Sequence, residues 1–204
     1  MEYIEKVPFS HFIDEIMLLD GIEQDMAESY VRTAIIDFCT RTQVLKRTTE
    51  VELIACANEY ILDLPPDERV VSIQEVCGYE VLKKESCNIQ NCYRNYVWFV
   101  PPNNIKVSPT PVVSGDRFRI VVAVAPKQDS CEVDSLIYES YRQIIIDKTL
   151  SLLYLIKQAR WYDANLARYH ATEYWKGLTQ AAADRLLGIK RGQIRMKSGG
   201  IYGW

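Results

Sequence analysis

Histidine is almost missing from this 204-residue chain: His11 and His170 are the two copies, and neither stands in a His-x-x-x-His or Glu-x-x-His pattern. A histidine-based metal site or catalytic pair therefore has no footing in the sequence. Glycine (9) and proline (8) are sparse while 48% of residues are hydrophobic. That balance excludes a disordered chain and lets a core form without metals or disulfides. No stretch reaches the roughly 18 uninterrupted apolar residues of a membrane span. The opening Met-Glu-Tyr-Ile-Glu-Lys-Val-Pro has neither a basic nor an apolar leader segment, so the chain is expected to be made in the cytosol and to stay there. An excess of base is lacking too: 24 Lys and Arg face 27 Asp and Glu, a net charge of −3, which argues against a generic DNA-coating role.

Signature motifs of chemistry are equally absent. Gly-x-Gly-x-x-Gly, Gly-x4-Gly-Lys-Ser/Thr and Gly-x-Ser-x-Gly do not occur, and Val113-Ser-Gly-Asp116 has only the letters of a turn. Asp14 with Glu15, and Asp67 with Glu68, are adjacent carboxylates, yet neighbours on a helix or turn face different ways and ordinarily solvate a surface. Six cysteines in a chain without a leader are expected as reduced thiols. Cys87-x4-Cys92 with the more distant Cys77 falls short of the four closely paired ligands of structural zinc. Cys39, Cys56, Cys77 and Cys131 are expected as small buried apolar groups, and Cys87 and Cys92 lie in a polar loop where their state is open. No catalytic residue, cofactor or metal is expected, and the chain reads as a non-enzyme.

What is present is charge of both signs, kept apart. The first forty residues hold nine acids against two bases, whereas Arg185, Lys190, Arg191, Arg195 and Lys197 near the other end have no acid among them. Charge runs of this kind are commonly solvated faces and frayed termini. The ending Ser-Gly-Gly-Ile-Tyr-Gly-Trp changes the balance, because Tyr, Trp and Arg are the residues that anchor interfaces. Residues 190–204 therefore read as a docking arm, with Arg191, Arg195, Tyr202 and Trp204 as its anchors.

Periodicity supplies the elements. Ser10 can cap a helix carrying Phe12, Ile13, Ile16, Met17 and Leu19, stopped by Gly21. A second helix, from about 24 to 41, buries Met26, Tyr30, Ala34, Ile35 and Phe38 and leaves Glu23, Asp25, Glu28 and Arg32 outward. Alternation in Val51-Glu-Leu-Ile-Ala55 and in Tyr60 to Leu64, with a turn at Ala57-Asn-Glu59, predicts a β-hairpin. Further strands run from Val70 to Val76, Asn95 to Val100, Asn104 to Val107 and Phe118 to Val124, making residues 48–126 an all-β block. Tyr93, Tyr96, Trp98 and Phe99 near Arg94 have the composition of a base-stacking platform. Strand alternation sends half of them inward, so core or subunit contact is the preferred reading. Asp134 caps a helix of about 29 residues spanning roughly 43 Å, broken at Asp163 and Asn165 before a final helix from Leu166 to about Gly188.

In order, Ala34-Ile-Ile-Asp-Phe-Cys-Thr-Arg41, Asn58-Glu-Tyr60, Leu62-Asp-Leu-Pro-Pro66, Arg69-Val-Val-Ser-Ile73, the strand closing at Ala125-Pro126, the acid-capped long helix, Trp161-Tyr-Asp163 and the Ala167–Ala183 helix resemble the head-to-tail adaptor (connector) proteins of tailed bacteriophages. Asp147-Lys-Thr149 stands where that family often has small residues, which argues against tight helix packing there, and the Cys87–Cys92 loop has no obvious counterpart. The resemblance implies a non-enzymatic ring, commonly of twelve copies, that binds the portal on one side and tail proteins on the other, with double-stranded DNA threading its centre without sequence-specific binding.

The resulting expectation is an α+β protein, an antiparallel helical bundle with an inserted β-sheet or barrel-like domain. Its helical domain is 1–47 plus 134–189, its β domain 48–133, and its extended C-terminal arm 190–204. The arm is expected to dock on the portal. Glu23, Asp25 and Glu28 are candidate channel-facing acids, since a negative wall repels phosphate and lets DNA slide. The expected partners are further copies of the chain, the portal protein, the tail tube or nozzle protein and DNA, with no membrane. The expected location is the virion neck, after assembly in the host cytoplasm. The alternatives are a tail-completion or neck protein contacting the tail tube, and a nucleic-acid-binding module using the basic arm.

Overall fold

The computed structural model describes residues 5–187 apart from 15, 20 and 83–94. Strand β1 (Lys6–Pro8) opens the fold, followed by two short 3-10 turns, Phe9–Phe12 and Ile16–Leu18, in place of the helix expected from Ser10. The buried residues Phe9, Phe12 and Ile16 recur at steps of three and four, a spacing that 3.0 residues per turn can serve in short pieces. Pro8 occupies the cap position and no side chain caps the first turn. Gly21, at φ +84°, then reverses the chain.

Helix α1 (Gln24–Thr42) buries Ala27, Val31, Ala34, Ile35, Phe38 and Cys39, an apolar stripe at three- and four-residue steps. It ends at Gln43, whose φ of 55° is left-handed and whose N–H donates to the Cys39 carbonyl. Strands β2 (Lys46–Glu52), β3 (Glu59–Ile61), β4 (Glu68–Val76), β5 (Glu80–Leu82), β6 (Tyr96–Val100), β7 (Asn104–Ser108), β8 (Arg117–Pro126) and β9 (Glu132–Asp134) follow. They form a three-stranded sheet β2–β8–β4, a four-stranded sheet β3–β7–β6–β5, and the pair β1–β9. All pairings are antiparallel except β5 with β6. Both larger sheets are open and neither closes into a barrel, so the barrel-like expectation is corrected.

The expected hairpin between residues 51 and 64 is also corrected, because β2 pairs with β8 and β3 with β7. The backbone donors at its bend are taken by a distant loop: Leu53 N–H reaches the Asp116 carbonyl at 2.7 Å and Cys56 N–H the Pro111 carbonyl at 2.9 Å. The Tyr60 hydroxyl donates to the Ala57 carbonyl at 2.9 Å and turns the chain into the second sheet. In β8, Phe118, Ile120, Val122 and Val124 point to the core, which continues through Phe38, Ile137, Tyr141 and Ile145 of the helices.

The expected 29-residue helix is shorter, 19 residues, because residues 154–163 are turns. Helix α2 (Ser135–Leu153) begins as expected, with the Asp134 carboxylate accepting the Leu136 N–H at 2.9 Å. It stops at Leu153, and a bend leads into α3 (Ala164–Leu187). The Trp161 indole N–H donates to the Leu153 carbonyl at 3.2 Å and Asp163 N–H to the Tyr154 carbonyl at 3.1 Å, so the bend satisfies the carbonyls the helix leaves open. The Asp163 carboxylate then caps α3, accepting from Asn165 and Leu166 N–H. At 1.5 Å per residue, α2 and α3 are about 29 and 36 Å long.

The helices form a layered stack. The segment from β1 through the 3-10 turns, with β9, lies as a strap on α1 and α2: Arg32 sits over the Phe9 ring and Phe12 meets Tyr138 edge-on. Helix α3 instead meets Arg41 through Trp175 and Asp147 through His170. Arg32 and Arg41, like Tyr138 and Asp147, are nine residues apart, about two and a half helical turns. Strap and α3 therefore cover opposite faces of the α1–α2 pair.

Candidate interaction surfaces

Two charged joints hold the parts in place. In the first, Arg47 of β2 bonds both carboxylate oxygens of Glu68 of β4, at 2.6 and 2.9 Å, and reaches Asp134 at the start of α2 at 2.9 Å. The Glu68 side chain is 5% exposed. Burial disfavours the charged guanidinium, but Glu68 and Asp134 outweigh it and Arg47 ends above its ordinary pKa. Beneath them the Cys39 thiol is pushed far up by burial first and by Glu68 and Asp134 next, so it stays protonated. Cys39 is buried as expected, whereas Cys56, Cys77 and Cys131 are exposed. Cys56 and Cys77 sit in turns and Cys131 lies just before β9. Cys87 and Cys92 lie outside the described residues.

The second joint ties α3 to the other helices. Asp37 accepts from the Arg41 Nε at 2.7 Å and from the Tyr174 hydroxyl at 2.8 Å, with the Lys148 ammonium at 3.7 Å. Burial raises the Asp37 carboxyl, but these three partners together hold its pKa below the usual value. Tyr174 is driven well above its ordinary value, by burial first and then by its bond to Asp37. Along the same helix pair His170 Nδ1 lies 2.8 Å from Asp147, with the Tyr154 ring stacked on the imidazole at 5.7 Å. At Gly177 a Cβ would come within 2.6 Å of Ile144, so α2 and α3 approach closely. The polar Asp147-Lys-Thr149 run therefore does not loosen the packing: Asp147 and Lys148 reach partners on neighbouring helices and Thr149 bonds back to the Ile145 carbonyl. Sequence reasoning missed this pairing because Asp147 and His170 are 23 residues apart and belong to separate helices.

Glu23, Asp25 and Glu28 are gathered at the start of α1, the first two exposed and Glu28 half-buried and bonded by Gln24 at 2.9 Å. Glu23 stands at the cap position without a side-chain cap. Acids at a helix N-terminus are favoured by its partial positive charge. Arg191, Arg195, Tyr202 and Trp204 lie outside the described residues, as do Tyr93 and Arg94 of the aromatic cluster. Tyr96 and Trp98 are buried and Phe99 is half-buried, the core or subunit placement preferred for that cluster over a stacking platform. Large apolar side chains left in water among the described residues include Leu18, Ile54, Val112, Val113, Leu166, Tyr169 and Trp175.

A cleft of about 580 Å³ lies between Gln43, Ser72, Gln74, Phe99 and Arg185. Its polar rim is spent on internal bonds, Gln74 to Gln43 and Ser72, and Arg185 to Gln43. Among the described residues no group of three or more His, Cys, Asp or Glu could hold a metal ion, and no helix is long and apolar enough to cross a membrane.

The family model of the SU10 adaptor protein matches residues 9–199. The chain belongs to the SU10 adaptor family. SU10 adaptors are phage head-to-tail adaptors, structural proteins of the virion neck. No curated protein matches the chain. The landmarks of the adaptor resemblance fall at joints of the fold: Ala34–Arg41 is the part of α1 that carries Asp37, Leu62–Pro66 links the two sheets, and Trp161–Asp163 makes the α2–α3 bend.

Proposed function

We propose that this adaptor closes into a ring of roughly twelve copies that joins the portal to the tail and surrounds the DNA path. The family match over residues 9–199 carries the reading. Its support from physics is that a folded, non-repeating chain with two unlike covers on one helical layer offers the different faces that head-to-tail packing requires. In this reading residues 1–47 and 134–189 form the ring body, residues 48–133 an inserted β domain, and residues 190–204 an arm that docks on the portal through Arg191, Arg195, Tyr202 and Trp204. Ordering such an arm costs entropy, which repetition around a ring offsets through avidity.

Glu23, Asp25 and Glu28 are assigned to the channel wall. Twelve copies at −3 each would carry roughly −36, a field that repels phosphate and favours sliding over gripping. Native mass measurement of the chain alone and with portal protein tests the ring: a discrete closed oligomer is expected, and a chain that stays monomeric under both conditions sinks the reading. Binding to an assembled tail tube but not to portal would favour the tail-completion alternative. Truncation after Gly188 is expected to weaken portal binding at least tenfold. Neutralising Glu23, Asp25 and Glu28 together is expected to slow DNA ejection, and unchanged ejection would remove those acids from the wall.

A further inference from the structure

The two covers of the α1–α2 layer present outer surfaces of opposite character. The outer face of helix α3 leaves Tyr169 and Trp175 in water, 58 and 56% exposed, beside the exposed bases Arg168 and Lys176. The Arg41 guanidinium lies over the Trp175 ring at 5.3 Å, its charge matched by Asp37 at 2.7 Å. Lys176 is likewise paired with Glu173 at 2.6 Å, so Arg168 is the base that this face offers to a partner. The strap side instead exposes Glu5, Asp14, Asp129 and Glu132. The same strap carries Met17 and Leu18, 43 and 84% exposed.

We infer that the α3 face of one copy seats against the β1–β9 strap face of the next, with Arg168, Tyr169 and Trp175 meeting Glu132, Asp14 and Leu18. Charge complementarity selects a second copy as the occupant, because one subunit carries both halves of the match. The halves lie on opposite faces of the same layer, so the contact is heterologous and propagates head to tail. A two-fold dimer through either face would set base against base or acid against acid. This inference rests on the ring reading and names its lateral seam.

Cys131, exposed beside Glu132 on the strap, provides a built-in reporter. Rings of a Tyr169→Cys variant, assembled alone or on portal protein and mildly oxidised, are expected to give a ladder of disulfide-linked multimers on a non-reducing gel. Adding Cys131→Ser should abolish the ladder. A ring seen by native mass without a Cys131-dependent ladder overturns this seam and leaves the ring reading standing. Failure to form any ring, with or without portal, overturns both. Independently, Arg168→Glu should lower ring yield about tenfold and Glu132→Arg in the same chain should restore it, with circular dichroism showing each variant folded. An Arg168→Glu chain that forms rings normally but no longer binds portal assigns the α3 face to the portal and overturns the seam.

Discussion

The joint between sheet and helices and the joint between α3 and its neighbours use the same kinds of residue to different ends. At the first, Arg47, Glu68 and Asp134 are nearly sealed from water, their side chains 13, 5 and 14% exposed. At the second, Asp37 and Lys148 are about a quarter exposed and Arg41 is half in water. A sealed charge cluster tolerates almost no displacement, because losing one partner strands a charge in low dielectric. A half-wet cluster can exchange a lost partner for water at modest cost. Strand and helix are thus locked at Arg47, while α3 is held more softly, on the side where its outer face is free to meet a partner.

The largest expected effect comes from breaking the sealed joint. Glu68→Ala should destabilise the protein by about 3–5 kcal/mol, read as a lower urea midpoint, and replacing the whole cluster, Arg47 by Met, Glu68 by Leu and Asp134 by Asn, should recover much of it. If the single change costs under about 1 kcal/mol, the contrast between the joints disappears. Next is Gly177→Ala. The added Cβ would fall 2.6 Å from Ile144, so a loss of about 1–3 kcal/mol is expected despite the better helix propensity of alanine. Shortening Ile144 to Val or Ala in the same chain should relieve part of it.

Asp37→Asn should cost about 1 kcal/mol at neutral pH. The folded carboxyl has a lowered pKa, so its contribution is full above the ordinary value near 3.8 and drains as pH falls below it. The gap between wild type and variant in acid-unfolding curves should therefore close below that pH. Tyr174 works in the other direction. Its raised pKa leaves its contribution intact below about 10 and removes it as pH rises further, so Tyr174→Phe should converge on wild type in alkali. The smallest change concerns reactivity: Cys56, Cys77 and Cys131 should accept a maleimide in the native state, while Cys39 reacts only on unfolding.

Much of the fold was legible where a single element carries its own signal. The stripe Ala27, Val31, Ala34, Ile35, Phe38 marks α1, Asp134 marks the start of α2, and Asp163 marks the start of α3. The helix expected from Ser10 gives way to 3-10 turns because Phe12, Ile13 and Ile16 can be buried with either period, and Met17 is left exposed. The hairpin failed for a different reason. Alternation says that residues 51–55 and 60–64 are extended, but the partner strands lie 40 or more residues away in β7 and β8. Glu23, Asp25 and Glu28 are singled out by charge density alone, while the Asp147–His170 and Asp37–Tyr174 contacts span 23 and 137 residues and leave no local trace.

By itself the sequence determined the composition of each element: an acid-rich first forty residues, strands that bury alternate positions, and a final helix after the Asp163 break. Local periodicity and capping chemistry suffice for that, since they act within a few residues. Only the tertiary structure decided which faces oppose each other, because placement depends on long-range pairing and on which side of α1 and α2 the strap and α3 pack. That decision sets the strap with its acids and α3 with Arg168, Tyr169 and Trp175 back to back, the arrangement on which the proposed seam rests.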